Sequence, residues 1–146
     1  MPRRLISSVV SGQTLISGTK EMTVRAACCL MAERKIGALL VLEKNQIVGI
    51  FTERDALNKV LAKSLDPDTT KLSEVMVSRL QTIRADKPLG HALYLMAQGG
   101  FRHVPVVGEN GEPLGMVSAR DALGQDIMDL ERDIKRLEEL EGSIGY

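Results

Sequence analysis

Residues 49–57 read GIFTERDAL, and residues 115–123 read GMVSARDAL, so one nine-residue pattern occurs twice at a spacing of 66 residues. Upstream of this pattern, residues 27–32 (ACCLMA) are similar to residues 92–97 (ALYLMA) at a spacing of 65 residues. Internal similarity at a fixed period indicates two copies of one supersecondary unit. The chain is therefore predicted to be a duplication.

Each copy is predicted to contain a helix with one apolar face, preceded by a short extended segment. Apolar residues recur at positions i, i+3 and i+7, which lie on one face of an α-helix. They are Val24, Ala27 and Met31 in the first copy and Leu89, Ala92 and Met96 in the second. The extended segments cover residues 14–16 and 80–83.

A β-hairpin is predicted to follow each of these helices. Residues 37–42 and 104–107 are short runs of small and branched apolar residues, and each leads through a polar turn into a second apolar run, at residues 47–51 or 114–117. A second helix then opens, which gives each copy the order β-α-β-β-α. The predicted fold class is α+β, with two such units in tandem.

The two copies join at residues 62–70, where Asp66-Pro67-Asp68 has the composition of a turn. The predicted organisation is a first unit with its N-terminal segment and linker at residues 1–70, a second unit at residues 71–124 and a C-terminal helical extension at residues 125–146. A unit of about 60 residues buries only about 60% of its unfolded surface. The units are therefore expected to pack together as a pseudo-two-fold pair.

Composition and charge argue against several classes of partner. Lys and Arg together number 19, as do Asp and Glu, so the formal net charge gives no support for nucleic-acid binding. The aromatic content of 3% leaves little material for a platform of stacked aromatic rings. No apolar run approaches the roughly 18 residues of a membrane span. Residues 1–13 also lack the apolar core of a signal peptide, so a cytoplasmic protein without a membrane partner is expected.

The side chains with metal-binding or nucleophilic chemistry form no known pattern. Cys28 and Cys29 are adjacent, which would strain a mutual disulfide, and they are interpreted as buried free thiols. His91 is interpreted as a surface or packing residue. There is no Walker motif and no Cys/His metal spacing. No catalytic or metal site is predicted, and the chain is expected not to be an enzyme.

The repeated pattern places a hydroxyl and a carboxylate three residues apart at the mouth of the second helix, as Thr52 and Asp55 or as Ser118 and Asp121. One interpretation is a capping box, in which these side chains only satisfy the helix N-terminus. The other is a ligand site. A helix N-terminus attracts phosphate, the hydroxyl adds a donor, and the ionised carboxylate accepts from the vicinal hydroxyls of a ribose.

The same pattern, Gly-x-x-[Thr/Ser]-x-x-Asp after an apolar strand, resembles the signature of the tandem CBS domain pair, also called a Bateman module. The resemblance runs from about residue 9 to about residue 123 and includes the strand RHVPV at residues 102–106, whereas residues 37–40 (GALL) lack its basic residues and its proline. It implies a pair of units that binds an adenosine-containing ligand, such as AMP, ADP, ATP or NAD(H), and requires no cofactor.

The resemblance implies a set of nucleotide-binding residues. They are, in chain order, Gly37, Ala38, Thr52, Arg54, Asp55, Arg102, His103, Pro105, Ser118, Arg120 and Asp121. The small residues Gly37 and Ala38 allow close approach of an adenine to the backbone. Arg102 and His103 are the candidates for phosphate in the second copy.

Two points remain open among these residues. Arg54 and Arg120 near the helix mouths are secondary phosphate candidates, or they lie on a solvated helix face. Only the second copy carries a basic pair in its first hairpin strand, so the site around Ser118 and Asp121 is expected to bind an adenosine phosphate more tightly than the site around Thr52 and Asp55.

The implied function is regulatory binding without catalysis. Occupancy by an adenine nucleotide would be passed through a homodimer to an unknown regulated protein, because the sequence shows no effector domain. The alternative is a ligand-free dimeric interaction or adaptor module.

The C-terminal extension carries a regular apolar seam. Its members recur every three or four residues, as in a coiled coil, and are Leu123, Ile127, Leu130, Ile134, Leu137 and Leu140. This helix is expected either to pack on its own domain or to continue into a subunit contact.

Overall fold

The computed structural model describes the backbone of residues 4–122 and 124–141 and the side chains of residues 4–121 and 131–140. Within these residues the strands form two three-stranded sheets of the same topology. In each sheet the first, two-residue strand is parallel to the second strand, and the second and third strands form an antiparallel hairpin. Helices flank both sheets, so the predicted α+β class is confirmed.

The first unit has the predicted order β-α-β-β-α. A short helix, α1 (Ile6–Val10), precedes it, and its elements are β1 (Ser17–Gly18), α2 (Val24–Arg34), β2 (Ala38–Glu43), β3 (Gln46–Thr52) and α3 (Glu53–Asp55), which continues as a π-helix over Ala56–Leu61. Lys44 and Asn45 connect β2 to β3 with φ angles of 51° and 59°. Two positive φ angles are characteristic of the type I′ turn, whose twist matches that of the flanking strands.

The second unit repeats this order. A second short helix, α4 (Leu72–Val75), precedes it, and its elements are β4 (Ile83–Arg84), α5 (Leu89–Gly99), β5 (His103–Val107), β6 (Pro113–Ser118) and α6 (Ala119–Ala122). The last helix is α7 (Gly124–Glu141). The apolar positions predicted for α2 and α5 are all buried, which confirms the helical periodicity.

The first strand of each unit lies later in the chain than predicted. Pairing of β1 begins at Ser17, which is opposite Leu40, and not at residues 14–16. Pairing of β4 covers only Ile83 and Arg84. A short extended run does not reveal which of its residues have a strand partner, and here the residues before each ladder line clefts instead.

The two short helices exchange partners between the units. Ile6 and Val10 of α1 pack in the core that contains α5, β5 and β6. Leu72 and Val75 of α4 pack in the core that contains α2, β2 and β3. Each unit is thus completed by the helix that precedes the other unit in sequence.

This exchange joins the units into one body. The Leu5–Pro88 and Thr23–Lys71 backbone bridges attach each short helix to the opposite unit. Burial of a large aliphatic side chain contributes about 1.5–3 kcal/mol to stability. The packing therefore crosses the predicted boundary at residue 70 in both directions.

The C-terminal helix exposes the part of its seam that the structure describes. Ile134, Leu137 and Leu140 are 46%, 56% and 76% exposed. Leu123 and the side chains of Ile127 and Leu130 lie outside the described residues. Packing of α7 on its own domain is therefore wrong for residues 131–140, all of which are exposed.

The cysteines differ from their prediction in one respect. Both are free thiols, but Cys28 is only half-buried and Cys29 is exposed. The buried face of α2 consists of Val24, Ala27 and Met31, and Cys29 lies away from it. His91 is exposed on α5, as a surface residue would be. In the part of the chain that the structure describes, no helix combines the length and apolarity needed to cross a bilayer.

Candidate functional site

Both helix mouths are built as capping boxes. In the first unit, the Thr52 amide donates to Asp55 Oδ2 at 3.0 Å, and the Asp55 amide donates to Thr52 Oγ1 at 3.2 Å. In the second unit, the Ser118 amide donates to Asp121 Oδ2 at 2.8 Å, and the Asp121 amide donates to Ser118 Oγ at 3.3 Å. The capping interpretation is therefore confirmed at both positions.

The caps leave part of each carboxylate available. The hydroxyl of Thr52 donates to Asp55 Oδ2, and that of Ser118 donates to Asp121 Oδ2, both at 3.1 Å. The cap bonds that each carboxylate accepts all end on the same oxygen, Oδ2. Because an ionised carboxylate has about four acceptor positions on two oxygens, capping does not exhaust either side chain.

A cleft of about 690 Å³ opens beside Asp121. Arg102, His103, Ser118 and Arg120 line it together with Asp121, and all come from the second unit. The opposite wall comes from the first unit and contains residues 13–16 and residues 35–38, which include Gly37 and Ala38. We refer to this space as the Asp121 cleft.

A second cleft of about 830 Å³ opens beside Asp55 and is called the Asp55 cleft. Its first-unit residues include Thr52, Arg54 and Gly37. Its second-unit wall is formed by residues 79–81 and by residues at the start of β5, which are Phe101, Arg102, His103 and Pro105. All of the candidate site residues thus lie on one or both clefts, and each cleft is composed of both units.

The distribution of basic side chains differs from the sequence expectation. Arg102 and His103 line both clefts, and the Asp55 cleft also contains Arg54 and Arg79. The premise that the basic pair Arg102 and His103 serves only the Asp121 site is therefore wrong. The reason is that the far wall of the Asp55 cleft is built from the second unit, in which Arg102 directly precedes β5 and His103 begins it.

Helix ends direct the site residues into position. The residues that cap the C-termini of α2 and α5 are Lys35, with φ of 57°, and Gly100, with φ of 69°. A left-handed residue at this position reverses the chain and ends the helix. The reversals bring residues 36–38 and 101–103 to the clefts at the starts of β2 and β5.

Glu53 lies on the wall that the two clefts share. It lines both clefts, together with Gly37, Arg102 and His103. A Cβ added to Gly37 would lie 3.1 Å from Glu53 Oε1, so a larger residue at this position would require the Glu53 side chain to shift by a few tenths of an ångström. The residue that corresponds to Glu53 in the second unit is Ala119. Of these two equivalent positions, only the one in the first unit therefore contributes a carboxylate to the shared wall.

Burial lowers the pKa of His103 below its usual value, and Arg102 acts in the same direction. Glu53 and Asp121 oppose this shift but do not reverse it. Near neutral pH the imidazole is therefore mainly uncharged. The positive charge available to a phosphate comes from the arginines and not from His103.

Asp55 has an ion-pair partner, Lys59, and the equivalent position after Asp121 carries no lysine. Asp55 is buried, with 6% of its surface exposed, and its Oδ1 lies 3.1 Å from Lys59 Nζ. The same Nζ donates to the Val75 carbonyl at 2.9 Å. Lys59 follows Asp55 by four residues, whereas the residue four positions after Asp121 is Gln125.

Gln13 closes one end of the Asp121 cleft. Its Nε2 donates to the Met116 carbonyl at 2.8 Å, and its Oε1 accepts from the Met116 amide at 3.1 Å. In the first unit the corresponding strand position, Ile50, instead pairs with the backbone of Val77. The cleft and capping residues that were not predicted from the sequence are Gln13, Glu53, Lys59 and Arg79. Gln13 and Arg79 hold equivalent positions, because each directly precedes the predicted extended segment of its copy. This equivalence was the signal in the sequence that could have identified them.

Among the described side chains, those of residues 4–121 and 131–140, no three from His, Cys, Asp or Glu are grouped so that they could hold a metal ion.

Comparisons with known proteins agree on a family. A family model described as CBS domain matches residues 14–62 and 72–126. The Arabidopsis thaliana protein named CBS domain-containing protein CBSCBSPB5 is 38% identical over 115 residues, which are 78% of this chain and 21% of that protein. An uncharacterized protein of Methanopyrus kandleri is 31% identical over 134 residues, which are 89% of this chain and 68% of that protein.

A solved structure adds a ligand to this comparison. It is a CBS domain protein from Pyrobaculum aerophilum complexed with AMP, at 25% identity and a TM-score of 0.77, and the match covers 87% of this chain and 96% of that chain. The chain described here spans about a fifth of the length of the Arabidopsis relatives that it matches first.

Proposed function

The chain belongs to the CBS domain family, and on this premise we propose that it binds an adenosine-containing ligand in its clefts and passes occupancy through a homodimer to another protein. The proposed ligands are AMP, ADP, ATP and NAD(H). Binding without catalysis is part of the proposal, as is a cytoplasmic location.

One observation carries this proposal. Each capping box opens into a cleft in which a carboxylate oxygen without cap bonds lies on the same wall as basic side chains. A carboxylate accepts from ribose hydroxyls, and an arginine binds phosphate with two parallel hydrogen bonds. Cleft volumes of about 690 and 830 Å³ fall within the range typical of small-molecule sites.

The proposed roles are clearest in the Asp121 cleft. Asp121 would accept from the ribose hydroxyls, and Arg102 and Arg120 would bind the phosphate. Gly37 and Ala38 would allow the adenine to approach the backbone of the opposite wall. The AMP-bound structure from Pyrobaculum aerophilum supports the ligand class, because its fold is similar, at a TM-score of 0.77.

The composite clefts supply a route from binding to a response. A ligand in either cleft contacts both units, so its affinity depends on how the units are arranged. A ligand shifts a conformational equilibrium only by binding two arrangements with different affinity. The exposed residues Ile134, Leu137 and Leu140 of α7 support a contact between two copies, since an apolar seam in water is unfavourable.

A thermal-shift panel tests the proposal. AMP, ADP, ATP, NADH and S-adenosylmethionine are added at millimolar concentration to the wild type, to the double variant Asp55→Ala/Asp121→Ala and to the control Asp86→Ala, which removes an exposed carboxylate. At one hundred times Kd, a ligand stabilises the native state by about 2.7 kcal/mol, equivalent to a rise in Tm of roughly 5–10 °C.

We expect such a rise for at least one ligand in the wild type and in the control, and not in the double variant. Flat traces for all five compounds would overturn the proposed binding and favour the ligand-free adaptor.

A further inference from the structure

Building on the proposed function, we infer that Lys59 determines how the Asp55 cleft recognises a sugar. The Asp121 cleft selects ligands with an intact ribose diol. The Asp55 cleft binds adenine compounds with little regard to the second hydroxyl of that diol, because Lys59 occupies an acceptor position that this hydroxyl needs.

Most of the acceptor positions on the Asp55 carboxylate are already occupied. Its Oδ2 accepts from the amide and from the hydroxyl of Thr52, at 3.0 and 3.1 Å. Its Oδ1 lies 3.1 Å from the ammonium of Lys59. A carboxylate offers about four acceptor positions, and three of them are occupied. One remains, whereas a vicinal diol brings two donors.

The same count at Asp121 gives a different result. The amide and the hydroxyl of Ser118 occupy Oδ2, at 2.8 and 3.1 Å. In the part of the chain whose side chains are described, the hydrogen bonds to the Asp121 carboxylate all end on Oδ2. Both positions on Oδ1 can therefore accept from a diol.

Displacing the Lys59 ammonium from Asp55 costs free energy. Its ammonium is held from two sides, by Asp55 Oδ1 and by the Val75 carbonyl at 2.9 Å. The side chain of Asp55 is only 8% exposed, so departure of the ammonium would leave a buried carboxylate without its countercharge. A ribose that uses both hydroxyls must meet this cost in the Asp55 cleft and not in the Asp121 cleft.

Lys59 also connects the carboxylate to the opposite wall of the cleft. Val75 ends α4, the helix exchanged from the second unit, and Val77 and Arg79 shortly after it line the Asp55 cleft. The ammonium thus lies between the carboxylate and the segment that leads to the cleft wall. This position is consistent with a role in specificity and not only in capping.

Calorimetry with one cleft disabled tests the inference. In Asp121→Ala, the Asp55 cleft is measured alone with AMP and with 2′-deoxy-AMP, which keeps one of the two hydroxyls. We expect the two affinities to agree within about threefold. In Asp55→Ala, the Asp121 cleft should prefer AMP by roughly tenfold or more, which is the range expected for a hydrogen bond to a charged acceptor.

Replacement of Lys59 then provides the decisive comparison. Adding Lys59→Met to Asp121→Ala should raise the preference for AMP over the deoxy compound to about tenfold or more. Lys59→Gln, which keeps a donor for Val75 but has no charge, should act in the same direction and guards against misfolding of the methionine variant. Lys63→Met replaces an exposed lysine of the same segment and should leave the ratio unchanged.

Two results would overturn the inference: a strong preference for AMP already present in Asp121→Ala, or an unchanged ratio in both Lys59 variants. These results differ from failure of the proposed function, in which the wild type would bind neither nucleotide.

Discussion

Exchange of the short helices predicts that a mutation in α1 weakens the second unit and not the first. The perturbation is Ile6→Ala. Ile6 is 0% exposed and belongs to the core formed by α5, β5 and β6, although it precedes the first unit in sequence. The helix is also attached to the second unit by its backbone, since the Ile6 amide donates to the Lys87 carbonyl at 3.0 Å and the Ser7 amide to the Ala85 carbonyl at 2.9 Å.

The magnitude follows from complete burial. Truncation of a buried isoleucine to alanine costs about 2–5 kcal/mol, from lost transfer free energy and the cavity left behind. A domain of this size typically has about 5–15 kcal/mol of stability, so the variant should remain folded but lose a substantial fraction. At roughly 2–4 °C per kcal/mol, Tm should fall by about 5–15 °C.

Hydrogen exchange measured by mass spectrometry locates the effect. Ile6→Ala should accelerate exchange in β5 and β6 more than in β2 and β3, because local opening follows local contacts. Leu72→Ala, the matched change in α4, should show the reverse, and Ser7→Ala on the exposed side of α1 should show neither. Faster exchange in β2 and β3 than in β5 and β6 for Ile6→Ala would refute the exchange of helices.

Three further outcomes are expected. In calorimetry with AMP, Asp121→Ala should weaken the tight binding by about one to two decades in affinity, and Asp55→Ala should weaken it little. Equal losses from the two substitutions would contradict unequal clefts. Removal of residues 125–146 should convert the proposed dimer to a monomer in sedimentation, and an unchanged mass per assembly would exclude the C-terminal helix as the contact. Burial lowers the pKa of His103, so the unfolded chain takes up this proton first and stability should fall as the pH drops below about 6.5. In urea denaturation, His103→Gln should flatten that part of the profile, and an unaltered slope would assign it to other groups.

The reason for unequal clefts has changed with the structure. Tighter binding at the Asp121 site was predicted because only the second copy carries the basic pair, whereas Arg102 and His103 line both clefts. Lys59 now carries the asymmetry, because it occupies a position on Asp55 that its counterpart leaves open. The expected order of the two sites is unchanged, but the interaction responsible for it is local to the helix that follows β3.

Periodicity in the sequence was sufficient for the units themselves. The repeat of residues 49–57 at residues 115–123 predicts two copies, and the apolar spacings predict the buried faces of α2 and α5. The capping boxes were also predictable, because their hydrogen bonds join residues three positions apart. These features depend on interactions within about one helical turn or one hairpin, which the local order of residues specifies.

Tertiary structure alone decided which surfaces meet. The apolar face of α1 or α4 indicates that the helix must be buried, but it does not indicate which core the helix joins. Each of the two helices packs against the unit that is more distant in sequence. For the same reason each cleft combines walls from both units, and Arg102 reaches the cleft of Asp55 as well as that of Asp121. Hydrophobic burial is non-directional, so sequence determines how much surface each element must cover, while the partner that covers it is selected by the geometry of the whole pair.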